Sequence, residues 1–149
     1  MTYRRRLTVA LSATAVMCFA TFAAGPGLAK GTVAIGLPND VAQGGFAMGI
    51  SYNYTTQGEA DAEALKQCLN FMDAPDSTRA LCKVDQHFEN ECFAMAMDPD
   101  PGTYGLGYKV AASQSAADSA AMTDCRNTST TGRKDYCKVS YRTCDGSAS

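Results

Sequence analysis

The sequence predicts an α+β domain built from one small unit used twice, each strand, strand, helix, strand, with alanine-rich helices packed on antiparallel sheet and three disulfides. Three observations predict it. Six cysteines remain after an apolar leader is set aside. Two segments, EADAEALKQC (59–68) and AADSAAMTDC (116–125), share residue types in the same order, and each is followed by CKV. The stretches ahead of them alternate large and small side chains, which is the period of a strand.

The leader comes first. Arg4, Arg5 and Arg6 precede an uncharged apolar run from Leu7 to Ala24, and Gly25, Pro26, Gly27, Leu28 and Ala29 follow. A basic start, an apolar segment and small residues at the cut make a secretory signal peptide over 1–29. A retained anchor is the competing reading, because the run approaches spanning length; the helix-breaking Gly-Pro-Gly favours removal. Cys18 goes with the leader, since Met17 stands where a lipid-attachment signal needs a small residue.

The remaining 120 residues suit one domain with a modest core. It spans 30–144 as two pseudo-repeats, about 32–91 and 92–144, with 145–149 expected as a disordered tail. Ten basic side chains face fifteen acidic ones, a formal charge of −5. That balance repels phosphate backbones and argues against nucleic acid as a partner. No later segment reads as a membrane helix, so no membrane contact is expected after cleavage.

Within copy one, Val33, Ile35 and Leu37 alternate with Ala34 and Gly36, and Met48, Ile50 and Tyr52 with Ala47, Gly49 and Ser51. Within copy two, Phe93, Met95 and Met97 alternate with Ala94 and Ala96, and Tyr104, Leu106 and Tyr108 with Gly105 and Gly107. By residue type, VAIGL (33–37) aligns with FAMAM (93–97) and GISY (49–52) with GLGY (105–108). Each sheet is therefore expected to carry one bulky face and one nearly smooth face. The helices fit the smooth face: Ala60, Ala64, Leu65 and Cys68 share a stripe, as do Ala117, Ala121, Met122 and Cys125. Thr56 and Glu59 form a capping box, and Ser113 is the N-cap of the second helix. The bulky faces either pack on each other or are covered by a partner chain, which leaves a homodimer open.

An even number of cysteines in a small exported domain is a disulfide framework. Zinc is disfavoured, because there is no C-x-x-C pair and only one histidine. The duplicated order pairs Cys68 with Cys82 and Cys125 with Cys137, leaving Cys92–Cys144 to tie the copies together. The chain-entropy relation assigns about 3 kcal/mol to each short loop and about 4 to the long one.

The stretch CKVDQHFENEC (82–92) holds the sole histidine, His87. On an unbroken strand Val84, Gln86 and Phe88 share one face and Lys83, Asp85, His87 and Glu89 the other. Asp85, His87 and Glu89 are then candidates for a divalent metal, though a solvated polar face accounts for them as well. Copy two has no histidine in the matching strand. Ser51 lacks the glycine spacing of a nucleophile elbow. Asp98-Pro-Asp-Pro-Gly102 is too short for a calcium loop and reads as a tight hairpin turn. Asn53-Tyr-Thr55 and Asn127-Thr-Ser129 match glycosylation acceptors, a frequent chance match. The tyrosines at 52, 54, 104, 108 and 141 read as core and hairpin packing ahead of a sugar platform. No cofactor and no catalytic residue is implied.

Ala60-x-x-x-Ala64-Leu65-x-x-Cys68, then Cys82-Lys-Val84, then Cys92-x-Ala94-x-Ala96 resemble bacterial exported proteins grouped as domain of unknown function 4189. The likeness covers about Val33 to Cys144. It implies a small, secreted, cysteine-linked domain and carries over no activity and no catalytic residue. The chain departs from the family's usual first strand at Val33-Ala-Ile-Gly36, lacks tryptophan and has a longer loop from Asn70 to Leu81. The resulting expectation is a periplasmic or secreted, non-enzymatic module for an unknown protein partner, of inhibitor or immunity type. The alternative is a small metal-dependent or histidine-based hydrolase centred on His87.

Overall fold

A computed structural model describes residues 29–149. The expected leader lies outside the described residues, apart from Ala29. In chain order the elements are β1 (Lys30–Gly36), α1 (Val41–Gly44), β2 (Ala47–Tyr54), α2 (Gln57–Leu69), α3 (Asp76–Arg79) and β3 (Lys83–Phe88). They continue as β4 (Cys92–Met97), β5 (Leu106–Ala111), α4 (Gln114–Thr128), a 3-10 turn (Lys134–Tyr136) and β6 (Lys138–Cys144). The strands form two antiparallel sheets of matching topology, β2-β1-β3 and β5-β4-β6.

The helices start where the sequence marks them. Thr56 accepts from the Glu59 N–H at the head of α2, and Ser113 accepts from the Ala116 N–H at the head of α4. Each cap satisfies a donor that the first helical turn leaves open. Ala60, Ala64 and Cys68 of α2 and Ala117, Ala121 and Cys125 of α4 are fully buried against the smooth faces of the sheets. Gly49 and Gly107 make that approach close: a Cβ at either would lie 2.0–2.5 Å from backbone atoms of the covering helix.

These glycines also correct the repeat alignment. Gly49 pairs with Ala34 and Gly107 with Ala96, so Val33-Ala-Ile35 superposes on Met95-Ala-Met97 and Gly49 on Gly107. The alignment by residue type was two residues out. Alternation has a period of two, so such a slip preserves large-over-large and small-over-small. Only the helix contact distinguishes the registers.

The bulky faces pack on each other. Val33, Met48, Ile50 and Phe88 of the first sheet and Phe93, Met95 and Leu106 of the second form one buried cluster. Fully burying such a side chain contributes about 1.5–3 kcal/mol. The two large rings come from non-equivalent strands. Phe88 of β3 lies over Gly31 of β1, while Phe93 of β4 opposes Thr143 of β6.

A register shift in each outer strand overturns one expectation. In β3 it falls between Gln86 and Val84, and in β6 between Tyr141 and Val139. Asp85 and Ser140 are the extra residues of these bulges, so residues on either side no longer alternate across them. Val84 pairs with Ala34 on the helix side, whereas Gln86 pairs with Val33 on the inter-sheet side. Val84, Gln86 and Phe88 therefore do not share a face, and His87 faces the helix layer.

The disulfides are Cys68–Cys82, Cys125–Cys137 and Cys92–Cys144. The first two join the end of each helix to the start of its outer strand. Cys92 and Cys144 are direct partners in the β4–β6 ladder, so this bridge staples one sheet and does not link the copies. Residues 145–149 do not form a free tail. Asp145 is buried, its N–H donates to the Glu91 carbonyl, and the Gln114 N–H donates to the Ser149 carbonyl.

Candidate functional site

The His87 stretch is resolved by the bulge. The His87 Nε2 lies 2.9 Å from the Asp61 Oδ1 on α2. Asp61 also accepts from the Thr32 hydroxyl at 2.6 Å and from the Gln57 amide at 3.0 Å, and burial partly offsets the lowering of its pKa by these bonds and by His87. Asp85 instead lies beside Tyr108, whose phenol is pushed up to about 12 by burial first and by the Asp85 carboxylate second. Glu89 pairs with Lys30. The candidate metal ligands Asp85, His87 and Glu89 thus point to three different partners, and no group of three metal-ligating side chains occurs among the described residues.

Copy two explains what the cluster is for. There the Gln114 amide donates to Asp118 at 2.8 Å, and the Arg142 guanidinium lies 3.3 Å from Asp118. Gln114, Asp118 and Arg142 occupy the places of Gln57, Asp61 and His87. Each unit thus fixes its outer strand to its helix through a glutamine, an aspartate and a cationic or histidine side chain. The signal was present in the sequence as Gln-x-x-x-Asp at 57–61 and 114–118, one helical turn apart on equivalent helices. Ser51 is likewise engaged: it is buried, and its hydroxyl donates to the Ala60 carbonyl at 2.7 Å.

A second cluster that spacing could not announce closes the β4–β5 connection. Asp98 is buried and receives two bonds from Arg133, at 2.5 and 2.8 Å, and Arg133 also holds Asp100. The guanidinium holds the Asp98 carboxyl below its usual range, with burial opposing and the Asp100 N–H assisting. Asp98-Pro-Asp-Pro-Gly102 is thus part of a long braced hairpin loop, since Asp98 pairs back to Gly105.

The concave surfaces lie along the seam between the two sheets. A cavity of about 600 Å³ is lined by Met48, Ile50, Phe71, Met72 and Tyr141. Its counterpart in copy two, of about 500 Å³, has Leu106, Tyr108, Thr128 and Gln86 at four of the equivalent places. A third, of about 720 Å³, lies between them and shares Phe71 and Met95 with one and Val41 and Leu106 with the other. Each has the size of a ligand site. The duplicated scaffold has therefore produced two matching grooves with different linings. The first is lined mainly by apolar side chains, its amides Gln67 and Asn70 being engaged by Ile50, Glu63 and Lys66, whereas the second carries amides left unengaged among the described residues.

The family described as Domain of unknown function (DUF4189) matches residues 31–144. The chain belongs to this family. No curated protein and no solved structure matches it. Membership in this family brings no activity with it. Three disulfides are the chemistry of an oxidising compartment outside the cytosol. Among the described residues no helix is long and apolar enough to cross a membrane.

Proposed function

We propose that this DUF4189 chain is an exported, non-enzymatic interaction module, of inhibitor or immunity type, that receives a protein partner in the apolar groove of copy one. One observation carries the reading. Met72 is 83% exposed at the lip of a groove floored by Phe71, Met48 and Ile50, on a segment tied down by Cys68–Cys82. Methionine and aromatic side chains are enriched at protein interfaces, and exposed apolar clusters of this kind mark contact surfaces. A segment pinned by a disulfide loses little conformational freedom on binding, so more of the contact energy is retained as affinity. Asp61 engages His87 as Asp118 engages Arg142 at the equivalent place, which supports a strand-anchoring role for His87 ahead of a hydrolytic one.

The test places a photo-crosslinking residue at Asn70, an exposed lining residue of the groove, in the mature chain, which is then mixed with envelope extract or culture medium. The reading expects one discrete protein adduct, lost in the Met72→Glu variant, with the free protein monomeric by light scattering. An adduct pattern unchanged by Met72→Glu rejects the groove as the docking surface. A dimer that Met72→Glu dissociates assigns it to self-association instead.

A further inference from the structure

The groove of copy two has a different chemistry from its twin. Its only charged lining residues, Lys109 and Asp124, neutralise each other at 3.0 Å. Asn39, Gln86 and Asn127 bring three side-chain amides to the same cavity, and none of them hydrogen-bonds to another group among the described residues. The Tyr108 and Tyr104 rings complete the wall, the latter 44% exposed. Each free amide offers both a donor and an acceptor in one plane. The apolar faces of the rings favour a flat, weakly polar surface against them.

Copy one serves as an internal control for what the scaffold itself requires. Where the copy-two groove has Tyr108 its twin has Ile50, and where it has Gln86, lent by copy one, the twin has Tyr141, lent by copy two. Helix-to-sheet packing, the caps and the helix-to-strand disulfides are the same in both units. The packing of the fold thus does not demand a tyrosine at 108 or an amide at 86.

From this set we infer that the copy-two groove binds a neutral saccharide, one or two sugar units long. Vicinal hydroxyls pair with the amides of Gln86, Asn39 and Asn127, and the C–H face of a ring lies on Tyr108 or Tyr104. A phosphate-bearing ligand would meet no unpaired cation in the lining, and the one carboxylate of the lining, Asp124, is already paired with Lys109. The volume of about 500 Å³ suits a ligand of that size. The site is separate from the apolar groove, so it stands or falls independently of the protein partner.

The experiment titrates the intact mature protein with maltose, cellobiose and N,N′-diacetylchitobiose, and with trialanine as a neutral peptide. Two readouts are followed: tyrosine fluorescence, which is clean because the chain has no tryptophan, and the side-chain amide resonances of Asn39, Gln86 and Asn127. The expected result is saturable binding of at least one sugar that moves all three amides. Tyr108→Ile, which installs copy one's residue, weakens it tenfold or more while the protein remains folded by calorimetry. Asn127→Ala, at an exposed position, weakens it as well. Unmoved amides with every sugar at tens of millimolar overturn the inference, as does binding that survives both substitutions or saturation by trialanine alone.

Discussion

Substituting alanine at Gly49 tests how the helices are seated. A Cβ there would lie 2.0 Å from the Ala64 carbonyl oxygen and 2.5 Å from the Cys68 N–H nitrogen, and at Gly107 2.3 Å from the corresponding atoms of Ala121 and Cys125. Ordinary contact begins at 3.4 Å. The obstruction is helix backbone, which no rotamer change can relieve, so the helix must rise by more than 1 Å from a face where its alanines are fully buried. Overpacking of this kind costs about 3 kcal/mol, the upper end of its usual range. A domain of this size loses about 3–5 °C in melting temperature per kcal/mol, so each variant is expected to melt about 9–15 °C below the parent. Gly58→Ala is the matched control. It lies in the first turn of α2 with nothing within 4 Å of an added Cβ, and is expected to stabilise by about 0.5–1 kcal/mol. Calorimetry of the three variants with disulfides intact provides the check. If Gly49→Ala and Gly107→Ala melt with the parent, the helices do not sit on those glycines and the superposition built on them fails.

His87→Arg, copying Arg142, is expected to leave melting unchanged, and His87→Ala to destabilise by less than about 1 kcal/mol, because the pair with Asp61 is half-exposed; a larger loss by calorimetry would give the histidine a role beyond its strand anchor. The second prediction concerns pH. Burial raises the Asp145 pKa, with the Glu91 and Glu89 charges adding to it and the Glu91 and Asn90 N–H groups opposing. A raised folded-state pKa contributes stability below the ordinary aspartate value and loses it as pH rises through the folded value. Asp145→Asn is therefore expected to melt above the parent at neutral pH, with the gain fading toward acid; a gain independent of pH refutes burial of the charge as its source.

The repeat, the caps and the placement of cysteines at helix ends and strand starts were legible because each is a local pattern. Thr56 and Ser113 announce helix starts through chemistry confined to one turn. The face assignments in β3 and β6 were not legible. The bulges at Asp85 and Ser140 carry no glycine or proline to mark them, and one inserted residue reverses every side chain beyond it. That reversal turned His87 from an outward strand face toward Asp61. The seam cavities were beyond reach for a different reason. Asn39, Gln86, Tyr108 and Asn127 come from four separate parts of the chain, and only the packing of the two sheets brings them to one wall. Asp98 and Arg133, 35 positions apart, are a third such case.

The two units close the same end of their sheets by different means. Cys92 and Cys144 face each other in the second ladder, and the matching places in the first are held by Lys30 and Glu89. An exposed ion pair yields to salt, while a covalent link yields only to a reductant. Ionic strength thus loosens that end of the first sheet, whereas the matching end of the second opens only when Cys92–Cys144 is reduced. A pulling force or a protease would find its first handhold at Lys30, leaving the second sheet as the last structure to come apart.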